Sequence, residues 1–225
     1  MRSRSEDLAP TRVDLREFAP QPAEFLGRAA YVQLTIFEAL TRAMSNAPST
    51  AAKAQLSRVA ELSMAKHRAL VAEIEQSGGN AADAMEPFTT PVDEFERVTR
   101  GGDWYESLLS CYLTAGFLDE FFSRLAAGLP AEQGRRIAQV LDAASGEETM
   151  AELIQAGIDD NPRLASRLAM WGRRLVGDTM LVARSALTLS QELARHDSDE
   201  ARIEPVFTEL IAAHTRRMDV LGLSA

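Results

Sequence analysis

From Ala23 onward apolar side chains recur at steps of three and four residues, and nowhere along the chain do they run in strict alternation with polar ones. That period belongs to the α-helix, whose turns bring i, i+3 and i+4 onto one face, so sheet architectures are excluded before any motif is considered. No self-similarity at a fixed period is present either, which removes helical solenoids. The 225 residues are enough for one large core without disulfides or metal to hold it together.

The punctuation divides the pattern. Helix one spans about 23–46 on a seam of Phe25, Ala29, Val32, Ile36 and Leu40 and stops before Pro48. Helix two, about 50–77, is capped by Ser49 or Thr50, carries Leu56, Ala60, Ser63, His67, Leu70 and Ile74, and closes at Gly78-Gly79. Residues 80–102 hold Pro87, Pro91 and paired glycines and read as a long crossover with one short helical piece at about 91–100. Asp103 followed by Glu106 opens helix three, about 103–128, in the manner of a capping box, and helix four follows over about 130–157. Two further helices are expected at about 162–195 and 200–221. A hairpin, a long crossover and a second hairpin make an all-α, ferritin-like four-helix bundle, here with two additional C-terminal helices. The expected organisation is a single helical domain over 22–225 behind an extended arm, 1–21, that holds Pro10 and Pro20.

Charge and composition narrow the partners. A net charge of −9 opposes a phosphate backbone, and the arginines come as scattered pairs without interleaved aromatics, so generic nucleic-acid binding is not expected. No apolar run approaches the ~20 residues that cross a bilayer, and no leader-like apolar segment follows Met1, so no membrane partner is expected. The lone Cys111, flanked by Ser110 and Tyr112, reads as a buried core thiol of a cytoplasmic protein. A helix face is available for a homodimer. Only two of the 24 basic residues are lysines, Lys53 and Lys66, which makes their positions informative.

A bundle of this kind does redox chemistry with inward-facing carboxylates and Glu-x-x-His pairs, because i and i+3 share a face. The three histidines are His67, His196 and His214, and the residues three before them are Met64, Leu193 and Ile211. No acid-x-x-His pair exists in the chain. Asp103-Trp104-Tyr105-Glu106, the run from Leu168 to Gly177 (Leu-Ala-Met-Trp-Gly-Arg-Arg-Leu-Val-Gly), and His214-Thr215-Arg216-Arg217-Met218 with Leu221-Gly222-Leu223 resemble an actinobacterial ferritin-like family. That family is described as similar to the tRNA 2-methylthio-isopentenyladenosine hydroxylase (MiaE-like). The resemblance implies a ferritin-like fold and, in intact members, a non-haem di-iron site.

Carried over residue by residue, the resemblance puts the helix-one glutamate on Gln33, the helix-two Glu-x-x-His on Ser63 and Lys66, the helix-three glutamate on Glu106, and the helix-four acid-x-x-His on Ala143 and Gly146. Only Glu106 remains an acid. A one-residue slip in helix two puts His67 at the histidine position, with Met64 in place of its acid. Two outcomes are open for the survivors. Either Lys66 enters the vacated site and pairs with Glu106, or Glu106 caps helix three while Lys66 reaches water.

His67, Asp119 and Glu147 lie near seams and form a second, makeshift ligand set for a divalent ion. Asp178 with Arg173 or Arg174 is expected to form an ion pair that ties helix five to the bundle, and His214 to dock the last helix. The expectation is a protein with degenerate metal positions, no catalytic residue and no cofactor, acting as a non-catalytic binding or structural module. The alternative is a MiaE-like hydroxylase holding iron with unusual ligands.

Overall fold

The computed structural model describes residues 21–188 and 197–224, and among them every regular element is a helix. The arm expected over 1–21 and the end of the fifth helix beyond Thr188 lie outside the described residues. α1 (Pro22–Ser45) and α2 (Thr50–Gln76) form the antiparallel hairpin. Ser49 starts α2 by accepting the Ala52 amide at 3.1 Å. Gly78 ends it at φ +80°, which lets the Gly79 amide return to the Ile74 carbonyl at 3.0 Å.

The crossover is more helical than its prolines suggest. α3 (Ala81–Met85), a turn of 3-10 helix (Glu86–Phe88) and α4 (Thr89–Thr99) succeed one another almost without loop. Pro87 sits in the first turn of the 3-10 segment and Pro91 near the start of α4, where a missing amide hydrogen costs nothing.

α5 (Trp104–Ala126) is the centre of the molecule. Every residue from Leu108 to Asp119 is buried, because α1, α6, α7, α8 and α9 surround it. Phe122 on α5 meets Phe25 of α1 edge to face with centroids 5.7 Å apart, and Phe121 meets Phe122 at 5.2 Å.

The expected fourth helix is two. α6 (Ala131–Leu141) stops, residues 142–146 turn, and α7 (Glu147–Asp160) resumes after Gly146 at φ +74°. Together α6 and α7 fill the fourth side of the bundle: each packs on α2 and on α5, while α1 also packs on α2 and α5. α2 and α5 therefore face one another across the centre. α8 (Arg163–Thr188) packs on α4, α5 and α7, and α9 (Asp197–Val220) on α5 and α8. No helix among the described residues is long and apolar enough to cross a membrane.

Candidate functional site

The centre of the bundle is where a protein of this topology holds metal, and here its polar groups are few and tightly matched. Gln33 on α1, Ser63 and Lys66 on α2, and Asp119 on α5 are all buried. Lys66 Nζ donates to Asp119 Oδ2 at 2.6 Å and to the Leu141 carbonyl at 2.8 Å; Gln33 Nε2 donates to Asp119 Oδ1 at 2.6 Å. Both carboxylate oxygens thus have a donor. The Leu141 carbonyl is one of those left without an intrahelical partner at the end of α6. All four sides of the bundle contribute to one network: α1, α2, α5 and the broken end of α6.

Lys66 points into the bundle centre, where its partner is Asp119 and not the expected Glu106. Glu106 lies in the first turn of α5. Its amide donates to Asp103 Oδ1 at 2.9 Å, and its Oε2 accepts from the Gly102 amide at 2.8 Å. This is a capping box shifted back by one residue. Arg167 of α8 bonds Asp103 and comes within 3.6 Å of Glu106 Oε1. The companion idea that Lys66 reaches water is overturned too, since its side chain is only 4% exposed.

Burial pushes the Asp119 carboxyl above its usual range, against the pull of Lys66 and the Gln33 amide. Held so, each carboxylate oxygen already accepts one hydrogen bond. Its neighbours offer an ammonium and an amide donor. A di-iron site needs several carboxylates and imidazoles around one space, and these residues do not fit it. Ala143 and Gly146 do not lie on a helix at all. They belong to the turn between α6 and α7, Ala143 is exposed, and a Cβ on Gly146 would come within 2.7 Å of Val59 Cγ2.

The makeshift set is also dispersed. His67 Nδ1 meets the Ala30 carbonyl at 2.9 Å. Asp119 is taken by Lys66, and Glu147 turns to α9, where it accepts from Arg217 Nε at 3.2 Å. Among the described residues no group of three or more His, Cys, Asp or Glu side chains converges to hold a metal ion.

Asp178 pairs along its own helix, with Arg174 Nε at 3.9 Å, so the expected tie between helices is not made there. The tie comes from Arg173 instead, which donates to the Ser224 carbonyl at 2.6 Å, while the Arg174 guanidinium lies over Trp171 at 5.2 Å. His214 does dock α9. It is buried, its Nε2 has no partner among the described residues, and burial pushes the imidazole down to about 4, against a backbone hydrogen bond at Gly172 and in the same sense as the charge of Arg217. Arg217 also donates to the Gly116 carbonyl at 3.1 Å. Burial pushes the Cys111 thiol up to about 12, which leaves it protonated and without nucleophilic character.

The three motifs that carried the resemblance are therefore fastenings. Trp104 Nε1 closes the end of α1 on the Ala43 carbonyl at 2.9 Å, and Trp171 Nε1 joins α8 to Ser110 of α5 at 2.8 Å. A Cβ on Gly157 would fall 2.2 Å from the Tyr105 ring, and one on Gly172 would fall 2.4 Å from the Met218 sulfur. What the sequence pattern missed was Arg167, which nothing local in the sequence marks, and the partners of Arg217, whose motif was legible but whose contacts with Glu147 and the Gly116 carbonyl were not.

Among curated proteins, none matches the chain. A family model described as the ferritin-like domain of actinomycetes matches residues 17–195, well over half of the sequence. The chain belongs to the actinomycete ferritin-like domain family.

Proposed function

We propose that this protein is a non-catalytic member of its family, a helical binding module whose former metal position has become a structural ion pair. One observation carries the reading: the Lys66 ammonium occupies the bundle centre, bonded to Asp119 and to the Leu141 carbonyl. A fixed positive charge at that point satisfies the buried carboxylate as a metal cation would, and it repels a metal cation. The hydroxylase reading suggested by the MiaE-like resemblance asks for acid-x-x-His pairs on two helices. At the corresponding positions stand Ser63 with Lys66 and the turn residues Ala143 with Gly146.

The test is elemental analysis of the protein purified from iron-supplemented cells. Iron or manganese well below one ion per chain is the expected result; one or two ions per chain, surviving gel filtration, overturns the reading. Melting in chelator should coincide with melting without it.

A further inference from the structure

One opening into the core is lined by none of the side chains of the central network. α4 packs on α1 and α8, and between α4, α1 and α5 lies a cavity of about 520 Å³, within the range of small-molecule sites. Its apolar wall includes Val32, Ile36, Val92, Phe95 and Leu118.

Five hydroxyls also line it, Thr35, Thr99, Ser107, Ser110 and Thr114, and all but Ser110 have donated their hydrogen to a carbonyl one turn back. Thr35 bonds Tyr31 at 3.1 Å, Thr99 bonds Phe95 at 2.8 Å, Ser107 bonds Asp103 at 2.7 Å and Thr114 bonds Ser110 at 2.7 Å. With those hydrogens committed, and Ser110 accepting from Trp171 Nε1 at 2.8 Å, the hydroxyl wall offers an anion little donation and the interior favours an apolar group.

The rim is the opposite. Arg42 of α1 and Arg100, just past α4, converge on the single carboxylate of Glu96. A guanidinium carries five N–H donors. Glu96 accepts from Arg42 Nη2 and from Arg100 Nε at 3.2 Å and Nη2 at 2.6 Å. The next acid, the exposed Glu38, lies 3.8 Å from Arg42 Nη1. Asp103, also on the rim, is already engaged by Arg167 and the Glu106 amide. Donor capacity of both arginines therefore remains open at the entrance of an apolar, acceptor-lined chamber.

We propose that this cavity binds a small amphiphile with one anionic head, the head held by Arg42 and Arg100 and the apolar body lying between α4 and α5. At ~30 Å³ per water-sized group the space takes roughly fifteen to twenty heavy atoms, the size of a medium-chain alkyl carboxylate. The proposal rests on the binding-module reading but is tested separately: metal content decides that reading, and ligand affinity decides this one.

The experiment is calorimetric titration of the full chain with dodecanoate, dodecanol and dodecyltrimethylammonium, each below its micellar concentration. Saturable binding of one dodecanoate is expected, with the ammonium compound at least about tenfold weaker, as the loss of charge-assisted hydrogen bonds implies. In the variant Arg42→Gln/Glu96→Gln/Arg100→Gln, which removes the Glu96 carboxylate together with both its arginines and leaves only the exposed Glu38 nearby, dodecanoate should weaken by about tenfold or more while dodecanol changes little. Ala39→Trp, which fills the chamber from α1, should abolish binding of both. Absence of saturable dodecanoate binding, equal affinity for the cationic amphiphile, or binding undiminished in both variants overturns the proposal.

Discussion

Lys66 and Asp119 lie on helices that face each other across the bundle, and their charged atoms meet at 2.6 Å with side chains only 4% and 11% exposed. Taking two charges out of water costs several kcal/mol each, so the pair is matched rather than strongly stabilising. Lys66→Met alone should destabilise the protein by about 3–5 kcal/mol, because it strands the Asp119 carboxylate with only Gln33 as donor. Lys66→Met/Asp119→Leu should recover most or all of that loss. Urea unfolding of the two variants and the parent checks this, and a double variant as unstable as the single one would contradict the account.

His214 sets an acid dependence. Its folded value of about 4 lies below the unfolded value of 6.5, so the unfolded chain takes up a proton first as pH falls. Its contribution is thus unaffected above about 6.5 and erodes between there and about 4, by on the order of 3 kcal/mol in all. Melting temperature measured across that window should fall more steeply in the parent than in His214→Met, whose curve should lose the part due to this site.

Gly146 is held at φ +74° with Val59 against its α-carbon. Gly146→Ala meets both a left-handed backbone, at about 1–2 kcal/mol, and a contact with Val59 Cγ2 at 2.7 Å. Val59→Ala removes the two nearest methyls but also empties a buried core position, so the two substitutions together should cost less than the sum of the two made singly. Thermal melting of the parent, both single variants and the double variant gives the comparison.

Asp103→Ala removes the acceptor for the Glu106 amide and the partner of Arg167. A loss of about 1–2 kcal/mol is expected. Asp103→Asn keeps the cap and should restore more than half of it, as read by denaturant midpoint.

Much of the architecture is legible in the sequence because it depends on local chemistry. The seams of α1, α2 and α5, the Ser49 cap, the Asp103 start and the Gly78 stop all follow from residues within a few positions of each other. The heart of the candidate site depends instead on how high each helix stands. Asp119 and Glu106 share one helix but differ by about 20 Å along its axis at 1.5 Å per residue, and no sequence pattern says which of them meets Lys66. The break between α6 and α7 was hidden for a different reason. Ile137, Leu141, Ala151 and Ile154 keep a helical phase across it, so the turn at Ser145-Gly146 does not disturb the period even though Ala144 ends up exposed.

The interruption that ends α6 at Leu141 also bears on what substitution could build here. Acids at Gln33 and Ser63 and an imidazole at Lys66 would still leave the fourth wall of the bundle as a turn, with Ala143 facing solvent and Gly146 pressed on Val59. Side-chain exchange alone therefore does not complete a ring of metal ligands; the main chain between α6 and α7 would have to be rewound first.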